Sequence, residues 1–178
     1  MELDTLYIQI QIERKNLAGF FSAKPSPEDL DENWREWWGS REMYSKTALE
    51  AIPTYSKQYN REVVDELLCD RFCAAAEHYD EDKQCWTFIA LNFSENYHEI
   101  LPMLAFIKQL AKFSEVGLAL IYNWMWGGES VMAFVQIQHG QALLQPFREC
   151  AQIAPEILKD IDSYLQVVAD NRYNKQSD

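Results

Sequence analysis

The chain has 178 residues, of which 48% are hydrophobic and 25% are charged, a composition typical of a globular protein with one sizeable core. Its formal net charge is −12 at pH 7, and residues up to Asp82 contribute −9 of it (18 acidic residues against 9 basic ones). Nucleic acids and anionic membranes repel such a surface, so we expect neither as a direct partner.

The first predicted element is a strand in the sequence LYIQIQI, residues 6–12. Aliphatic residues occupy every second position and Tyr or Gln lies between them, which is typical of a strand with one buried face and one wetter face. The residues before it include two acids and lack the basic start and long apolar stretch of a signal peptide. We therefore expect a cytoplasmic protein whose four cysteines are reduced thiols.

The sequence KPSPEDLDENWREWW, residues 24–38, predicts the first helix. Ser26 suits the N-cap, Pro27 suits the first helical position, and Asp29 completes a capping-box pattern. Three tryptophans then lie within five positions, which is more than one buried stripe needs: Trp34, Trp37 and Trp38. We expect them in the core, with a protein partner as the alternative cover.

The same segment carries a set of acids that suits a basic protein partner: Glu28, Asp29, Asp31, Glu32 and Glu36. Solubility alone also favours acidic surfaces, so this set is a candidate contact surface and not a diagnostic one.

A second helix is predicted at about 61–77, with Asn60 as its N-cap. Cys69 and Cys73 would share one face of this helix, and His78 follows nearby, so a zinc site is conceivable. No second pair of ligands closes such a site. We therefore expect buried thiols here, and neither a metal nor another cofactor.

The sequence CWTFIALNF, residues 85–93, predicts an interior strand, and a helix follows from Ser94 with an interruption or kink at Pro102. Two acidic groups could perform acid–base chemistry or hold a hard cation: Glu95 with Glu99, and Asp80, Glu81 and Asp82 in the polar loop predicted at 78–84. Both groups also have the character of solvated polar segments, so we expect no catalysis from them.

The sequence VGLALIYNWMWGGESVMAFVQIQ, residues 116–138, predicts two strands joined by a Gly-Gly turn. If the first strand persists, Tyr122, Trp124 and Trp126 point to one side. These rings then either extend the core beneath a helix or form an exposed patch for a protein partner. In the exposed interpretation, Trp124, Trp126 and Glu129 are candidate partner contacts.

Residues 142–171 have a helical rhythm divided near Pro155, and residues 173–178 form a polar tail. The elements together predict one α+β domain over residues 1–172. We expect a mainly antiparallel sheet of about four strands with helices packed on one face. Phosphate-binding glycine loops and the GxSxG motif are absent from the sequence, and the polar residues form no catalytic constellation, so we do not expect an enzyme.

Three segments resemble the small immunity proteins of bacterial polymorphic-toxin systems: the strand LYIQIQI, the helix NYHEILPMLAFIKQL and the hairpin IYNWMWGGESVMAFVQI. Such proteins are acidic, cytosolic, single-domain α+β chains, and the resemblance is closest to those paired with nuclease toxins of the restriction-endonuclease fold. It implies tight binding to one cognate toxin, whose active site is blocked or distorted. Because toxin-contacting residues vary in these families, the resemblance assigns no binding residue to this chain.

Two other functions stay open at the level of the sequence. One is a small ligand-binding domain or enzyme with a pocket lined by Trp and Tyr and a carboxylate such as Glu129 at its rim. The other is an adaptor or chaperone of a secretion system, which would differ only in its partner. The sequence does not predict an oligomeric state.

Overall fold

The computed structural model describes residues 2–42 and 46–177, which form an α+β fold around one antiparallel sheet of six strands. The strands are β1 (Asp4–Gln11), β2 (Ala75–Asp80), β3 (Cys85–Ser94), β4 (Val116–Tyr122), β5 (Val131–Gln138) and β6 (Gln141–Gln145). The helices are α1 (Arg14–Ser22), α2 (Glu32–Ser40), α3 (Asn60–Cys69), α4 (Tyr97–Ala111) and α5 (Pro155–Gln176). In the described residues no helix is long and apolar enough to cross a membrane.

The strand order across the sheet is β2-β3-β1-β4-β5-β6, so the N-terminal strand lies at the centre. The predicted α+β class and antiparallel sheet are confirmed, but the sheet has six strands rather than about four. The two additional strands, β2 and β6, are the edges of the sheet. Both lie in sequence that had been assigned to helix and loop.

The alternation of β1 defines two faces of the sheet, and helices cover both. Leu6, Ile8 and Ile10 are fully buried on the face covered by α1 to α4, which we call the first face. Tyr7 is buried on the second face, in a separate apolar cluster that includes Leu165 of α5. The expectation of helices on one face is therefore wrong, because the second face also presents large apolar side chains for α5 to cover.

The tryptophans of α2 lie in the core of the first face. Trp34 and Trp37 are fully buried, and their rings meet edge to face with centroids 6.3 Å apart. Trp38 is half-buried and packs edge to face against Tyr97 at 4.9 Å. The core interpretation is confirmed for the first two rings, and α4 covers them rather than the N-terminal strand alone.

The start of this helix differs from the prediction. α2 begins at Glu32, and the carboxylate of Asp31 caps it by accepting a hydrogen bond from the N–H of Trp34 at 3.0 Å. Ser26 and Pro27 precede the helix in non-helical chain, and the N–H of Ser26 donates a hydrogen bond to the side chain of Gln109 at 3.2 Å. The cap lies directly before the buried aromatic residues.

The helix predicted at 61–77 is divided between two elements. α3 ends at Cys69, and the side chain of Asp70 then accepts hydrogen bonds from the N–H of Phe72 (2.9 Å) and the thiol of Cys73 (3.3 Å). The chain turns there, and residues 75–80 pair with β3 as the edge strand β2. An alanine-rich sequence favours helix locally, so only the pairing with β3 explains this strand.

α4 is the central helix of the first face, and every residue from Ile100 to Ala111 is buried. Its N-cap is Asn96 rather than Ser94, since the Asn96 side chain accepts a hydrogen bond from the N–H of His98 at 2.9 Å. The helix continues through Pro102 instead of ending before it. A proline there removes one backbone hydrogen bond, and burial of the surrounding residues outweighs that loss.

The segment 142–171, expected to be helical throughout, begins as strand β6 and becomes helical only at Pro155, apart from a short 3-10 turn at Cys150–Gln152. Pro155 occupies the first position of α5, where its missing N–H costs nothing. α5 continues to Gln176, so residues 173–176, expected in the polar tail, are an exposed helical turn.

Candidate protein-binding surface

The connection between β4 and β5 is a folded turn. β4 ends at Tyr122, and Trp124–Trp126 form one turn of 3-10 helix that stops at Gly127, where φ is 63°. The strand alternation that would have placed three rings on one side therefore ends too early. A strand that persists to Trp126 was the condition for Tyr122, Trp124 and Trp126 to point to one side, and this condition is not met.

Asn123 organises this turn. Its backbone carbonyl accepts hydrogen bonds from the N–H of Trp126 at 3.2 Å and of Gly128 at 3.3 Å. Its side-chain oxygen accepts another from the N–H of Ser130 at 3.2 Å. One residue thus links the start, the middle and the end of the turn, which gives the aromatic residues a defined orientation.

The aromatic residues of the turn have three different environments. Tyr122 is 2% exposed, and its hydroxyl donates a hydrogen bond to Asp162 of α5 at 2.6 Å. Trp124 is half-buried against the second-face core, as is Met125. Trp126 is 57% exposed. The core interpretation thus holds for Tyr122, whereas Trp126 presents most of its ring to solvent.

A groove of about 160 Å³ lies beside the turn, with Arg71, Met125 and Tyr173 among the residues on its walls. Two further aromatic residues are exposed here: Tyr173 at 61% and Phe72, next to Arg71, at 65%. Trp126 follows the wall residue Met125 in the turn, as Phe72 follows Arg71. We call Phe72, Trp126, Tyr173 and this groove the tip surface. Exposed large aromatic side chains next to a concavity are typical of protein-binding sites.

Carboxylates lie next to the tip surface. Because Asp4 pairs with Ser94 and Thr5 pairs with Tyr122, the end of β3 and the end of β4 flank the start of β1. Glu95, which follows Ser94, is therefore near the turn. Two more exposed acids, Glu129 and Glu149, lie at its base: the backbone carbonyl of Glu129 accepts a hydrogen bond from Cys150, and Glu149 bridges to Ser130.

The acids predicted on the first helix lie elsewhere. Asp29, Asp31, Glu32 and Glu36 are exposed, and Glu28 is half-buried with its carboxylate 3.5 Å from the ammonium of Lys112. Lys112 follows the end of α4, close to where β4 begins, whereas the tip lies where β4 ends. The seven residues of β4 span about 20 Å.

The start of the acidic segment, at Glu28, therefore lies at the opposite end of β4 from the tip, whereas α2 ends near the start of β5, where Arg41 bonds to the carbonyl of Val131. The acidic segment before and within α2 belongs to the first face. Trp124 and Glu129 lie in the turn between β4 and β5, and Trp124 packs on the second face. Of the predicted contacts, Trp124, Trp126 and Glu129 lie at the tip surface. Glu28, Asp29, Asp31, Glu32 and Glu36 form a separate acidic region.

A small cavity of about 200 Å³ lies at the same end of the sheet, lined in part by Asp4, Arg41, Tyr97 and Arg148. Asp4 is 8% exposed, and its burial, together with the nearby Glu95, raises the pKa of its carboxyl to about 7. A carboxyl with such a pKa can carry a proton at neutral pH, which is the property of a general acid or base.

The guanidinium of Arg41 forms the wall of this cavity but is already engaged. It donates hydrogen bonds to the carbonyls of Val131 and Met132, both at 2.8 Å, and to that of Phe147 at 2.7 Å. These bonds tie the end of α2 to β5 and to the segment after β6. The arrangement suits a structural role for Arg41 better than capture of a ligand.

The prediction that Cys69 and Cys73 share one face of a helix is wrong. Cys69 is the exposed last residue of α3, whereas Cys73 lies beyond the turn, where burial raises the pKa of its thiol to about 12. His78 is exposed on β2 and pairs with Thr87. Among residues 2–42 and 46–177, no group of three or more His, Cys, Asp or Glu side chains is arranged to hold a metal ion.

Comparison with protein-family models, with curated proteins and with solved structures gives no significant match to this chain.

Sequence reasoning missed Phe72 and Tyr173 as surface residues. Phe72 lies in the segment predicted as the helix 61–77, and Tyr173 in the predicted polar tail. The path of α5 brings Tyr173 to the same groove as Met125, and the chain reversal before β2 exposes Phe72 next to the wall residue Arg71. Asp4 was also missed, because its burial depends on neighbouring strands and loops that are distant in the sequence.

Proposed function

We propose that this protein binds a cognate bacterial toxin, a nuclease with a basic active-site groove, and neutralises it in the cytoplasm. The observation that carries the proposal is the exposure of three aromatic residues at one groove, on a chain with a net charge of −12. Tyr173 lies on a wall of the groove, and Phe72 and Trp126 each follow a wall residue in the sequence. Trp and Tyr are the residues that most often anchor protein interfaces. The resemblance to immunity proteins supports a toxin as the type of partner.

The construction of the turn supports a binding role for Trp126. Three hydrogen bonds to Asn123 hold the turn in place, so little conformational entropy is lost when a partner covers the ring. A ring that enters a pocket of the partner contributes to the lifetime of the complex. Truncation of such an anchor costs about 2 kcal/mol or more of binding free energy.

The charge of the chain supports a basic partner. A nuclease must carry positive potential in the groove that holds the phosphate backbone, and carboxylates attract that groove over a distance of several ångströms. Glu129 and Glu149 are exposed at the base of the turn that carries Trp126, whereas the charged residues that line the groove are Arg71 and Arg172. Aromatic anchors with carboxylates around them match the general anatomy of a steered protein interface.

The alternative of a small-ligand site is favoured by one observation, the cavity at Asp4. The raised pKa of Asp4 would suit proton transfer, and Tyr97 and Arg148 offer polar groups nearby. Arg41, the buried cation of the cavity, uses its donors on backbone carbonyls. Protein binding is therefore the function that we propose, and a secretion-system adaptor differs from it only in the partner.

The proposal is tested by affinity capture from the producing strain. The bait is the full chain, and the matched baits carry Trp126→Ala or Tyr59→Ala. Tyr59 is 54% exposed but precedes α3, whose ten residues separate it from the tip by about 15 Å. We expect the wild-type and Tyr59→Ala baits to retain one basic protein, and the Trp126→Ala bait to lose it.

A second experiment tests neutralisation itself. The captured protein is expressed in a sensitive host alone and together with the wild-type chain. We expect the captured protein to stop growth and the wild-type chain to restore it. A captured protein that is harmless to the host, or whose toxicity the chain does not relieve, would contradict the immunity function and favour an adaptor role.

A further inference from the structure

α5 covers only part of the second face of the sheet. Tyr7, Leu120 and Phe134 lie under α5 and are buried, whereas Gln9, the next residue of β1 on this face, is exposed. Directly paired residues of antiparallel strands lie on the same face. The register therefore identifies which other residues share the uncovered part with Gln9.

Two rows of paired residues cross this uncovered part of the sheet. The row through Gln9 continues to Leu118 on β4, Gln136 on β5 and Leu143 on β6. The row through Gln11 continues in the same way to Val116, Gln138 and Gln141. We call these eight positions on four adjacent strands the amide face.

The composition of the amide face differs from that of the chain. Five of its eight positions are glutamine and three are aliphatic, and none carries a charge, although the chain carries −12. Val116 is 45% exposed and Leu143 is 51% exposed, so the aliphatic residues are not covered by their neighbours. Recesses of about 410 Å³ and about 200 Å³ lie over its two sides, the first beside Gln9 and Leu118 and the second beside Gln136 and Leu143.

We propose that a second copy of this chain docks on the amide face, so that two sheets pack face to face in a homodimer. The charge pattern indicates this occupant. A basic partner gains nothing from a face without carboxylates, whereas two copies of a −12 chain can approach each other closely only where acids are absent. Glutamine amides both donate and accept hydrogen bonds, so a face of glutamines is complementary to itself.

The dimensions indicate a modest interface. Neighbouring strands lie about 4.8 Å apart, so four strands and two rows of residues along them give a patch of roughly 20 by 15 Å. Helix α5 borders this patch. Tyr164 of α5 lies at this border, since its hydroxyl is beside Thr87 and Cys85. A patch of this size buries about 600 Å² in total over the two copies, which is below the range of permanent dimers. The dimer is therefore weak and forms only as the concentration rises.

The proposal is tested by sedimentation equilibrium of the full chain from about 1 to about 300 µM. The monomer mass is 20.9 kDa, and we expect the average mass to rise towards twice that value. The test variant is Gln9→Glu with Gln136→Glu, which places four carboxylates in the dimer interface. The control variant is Gln58→Glu with Asn174→Asp, which adds the same charge at two exposed positions outside the amide face.

We expect the test variant to raise the dimer dissociation constant at least about tenfold, and the control variant to leave it within about twofold. If the test variant does not show the wild-type circular dichroism spectrum, Leu143→Glu at an exposed edge position replaces it, with a rise of about threefold expected from the two carboxylates that it places in the interface. A mass of 20.9 kDa at every concentration would overturn the proposal. Equal weakening by the test and control variants would also overturn it, because that result reflects net charge alone.

Discussion

The side chain of Asn123 occupies the space that a Cβ atom on Gly128 would need. Such an atom would lie 1.8 Å from Asn123 Nδ2. Gly127 is required for a different reason, since its φ of 63° is in the left-handed region. Gly127 is thus required for its backbone conformation, and Gly128 for the space that its missing side chain leaves. That space lets the Asn123 side chain reach the N–H of Ser130.

Gly128→Ala is expected to displace the Asn123 amide and to break its hydrogen bond to Ser130. The loss should lower the free energy of unfolding by about 1 kcal/mol, as measured by urea unfolding. Gly39→Ala is the control, because a Cβ at that position of α2 meets nothing within 4 Å. The control should be neutral or stabilising by up to about 1 kcal/mol. Equal effects of the two substitutions would mean that Asn123 does not fix the turn.

Asp4→Asn is expected to stabilise the protein, and more so at high pH. Burial raises the pKa of Asp4 from 3.8 to about 7, so the folded state holds this proton more tightly than the unfolded state. The carboxyl therefore leaves stability unchanged below about pH 4 and lowers it as the pH rises towards 7. Between pH 5.5 and 8.5, the stability gained by Asp4→Asn should grow by about 2 kcal/mol.

Urea unfolding of both proteins at these two pH values checks this expectation. Glu2→Gln is the matched control, because Glu2 is exposed two residues before Asp4. A stability difference between wild type and Asp4→Asn that is the same at both pH values would show that the Asp4 carboxyl is not destabilised by burial.

Asn33→Leu is expected to expose the edge of the sheet. The Asn33 side chain pairs with both backbone groups of Leu144, accepting from its N–H and donating to its carbonyl at 2.9 Å each. It also accepts a hydrogen bond from the buried ammonium of Lys108 at 3.0 Å. Losing the three contacts should lower the free energy of unfolding by about 3 kcal/mol and increase aggregation through β6.

Two further variants separate the causes. Arg35→Leu adds the same side chain at an exposed position of α2 and should change stability by less than about 0.5 kcal/mol. Adding Lys108→Met to Asn33→Leu removes the unpaired buried ammonium and should restore part of the stability. If the double variant is as unstable as Asn33→Leu alone, the contact between Lys108 and Asn33 contributes little.

The elements that the sequence predicts well are those whose side-chain pattern agrees with their place in the fold. β1 alternates strictly, and its aliphatic residues indeed form one buried row. The strands β4 and β5 also lie where the apolar runs predict them. In these segments local preference and tertiary packing favour the same structure, so the pattern is sufficient.

The predictions of secondary structure fail where contacts between residues distant in the sequence decide the structure. Residues 75–80 are a strand because β3 offers them a free edge, and nothing in AAEHYD indicates that edge. Residues 141–145 pair with β5 while Asn33 covers their outer side, which depends on a contact 111 residues away. The tip surface combines the segment before β2, the turn after β4 and the end of α5, so the sequence alone could identify Trp126 but not Phe72 or Tyr173.

The placement of the acids gives a prediction about association. Reversing charge next to the tip, by Glu95→Lys with Glu129→Lys, should slow association with a basic partner about tenfold, most strongly at low salt. Reversing charge at the start of α2, by Asp29→Lys with Glu32→Lys, changes net charge equally and should slow association by less than about threefold. Asp31 is not used because it caps α2.

Surface plasmon resonance at two ionic strengths measures these association rates. Similar effects of the two pairs would show that only the net charge of the chain matters. A larger effect of the α2 pair would place the partner on the acidic segment of the first helix instead of the tip.

The most direct test of the proposed binding surface is the dissociation rate of the captured partner from Trp126→Ala. The ring is 57% exposed, so its removal should leave the fold intact, as circular dichroism and urea unfolding can verify. We predict dissociation at least about 30-fold faster than from the wild type, corresponding to about 2 kcal/mol, and an unchanged rate for Tyr59→Ala. A folded Trp126→Ala protein that releases the partner at the wild-type rate would contradict the account.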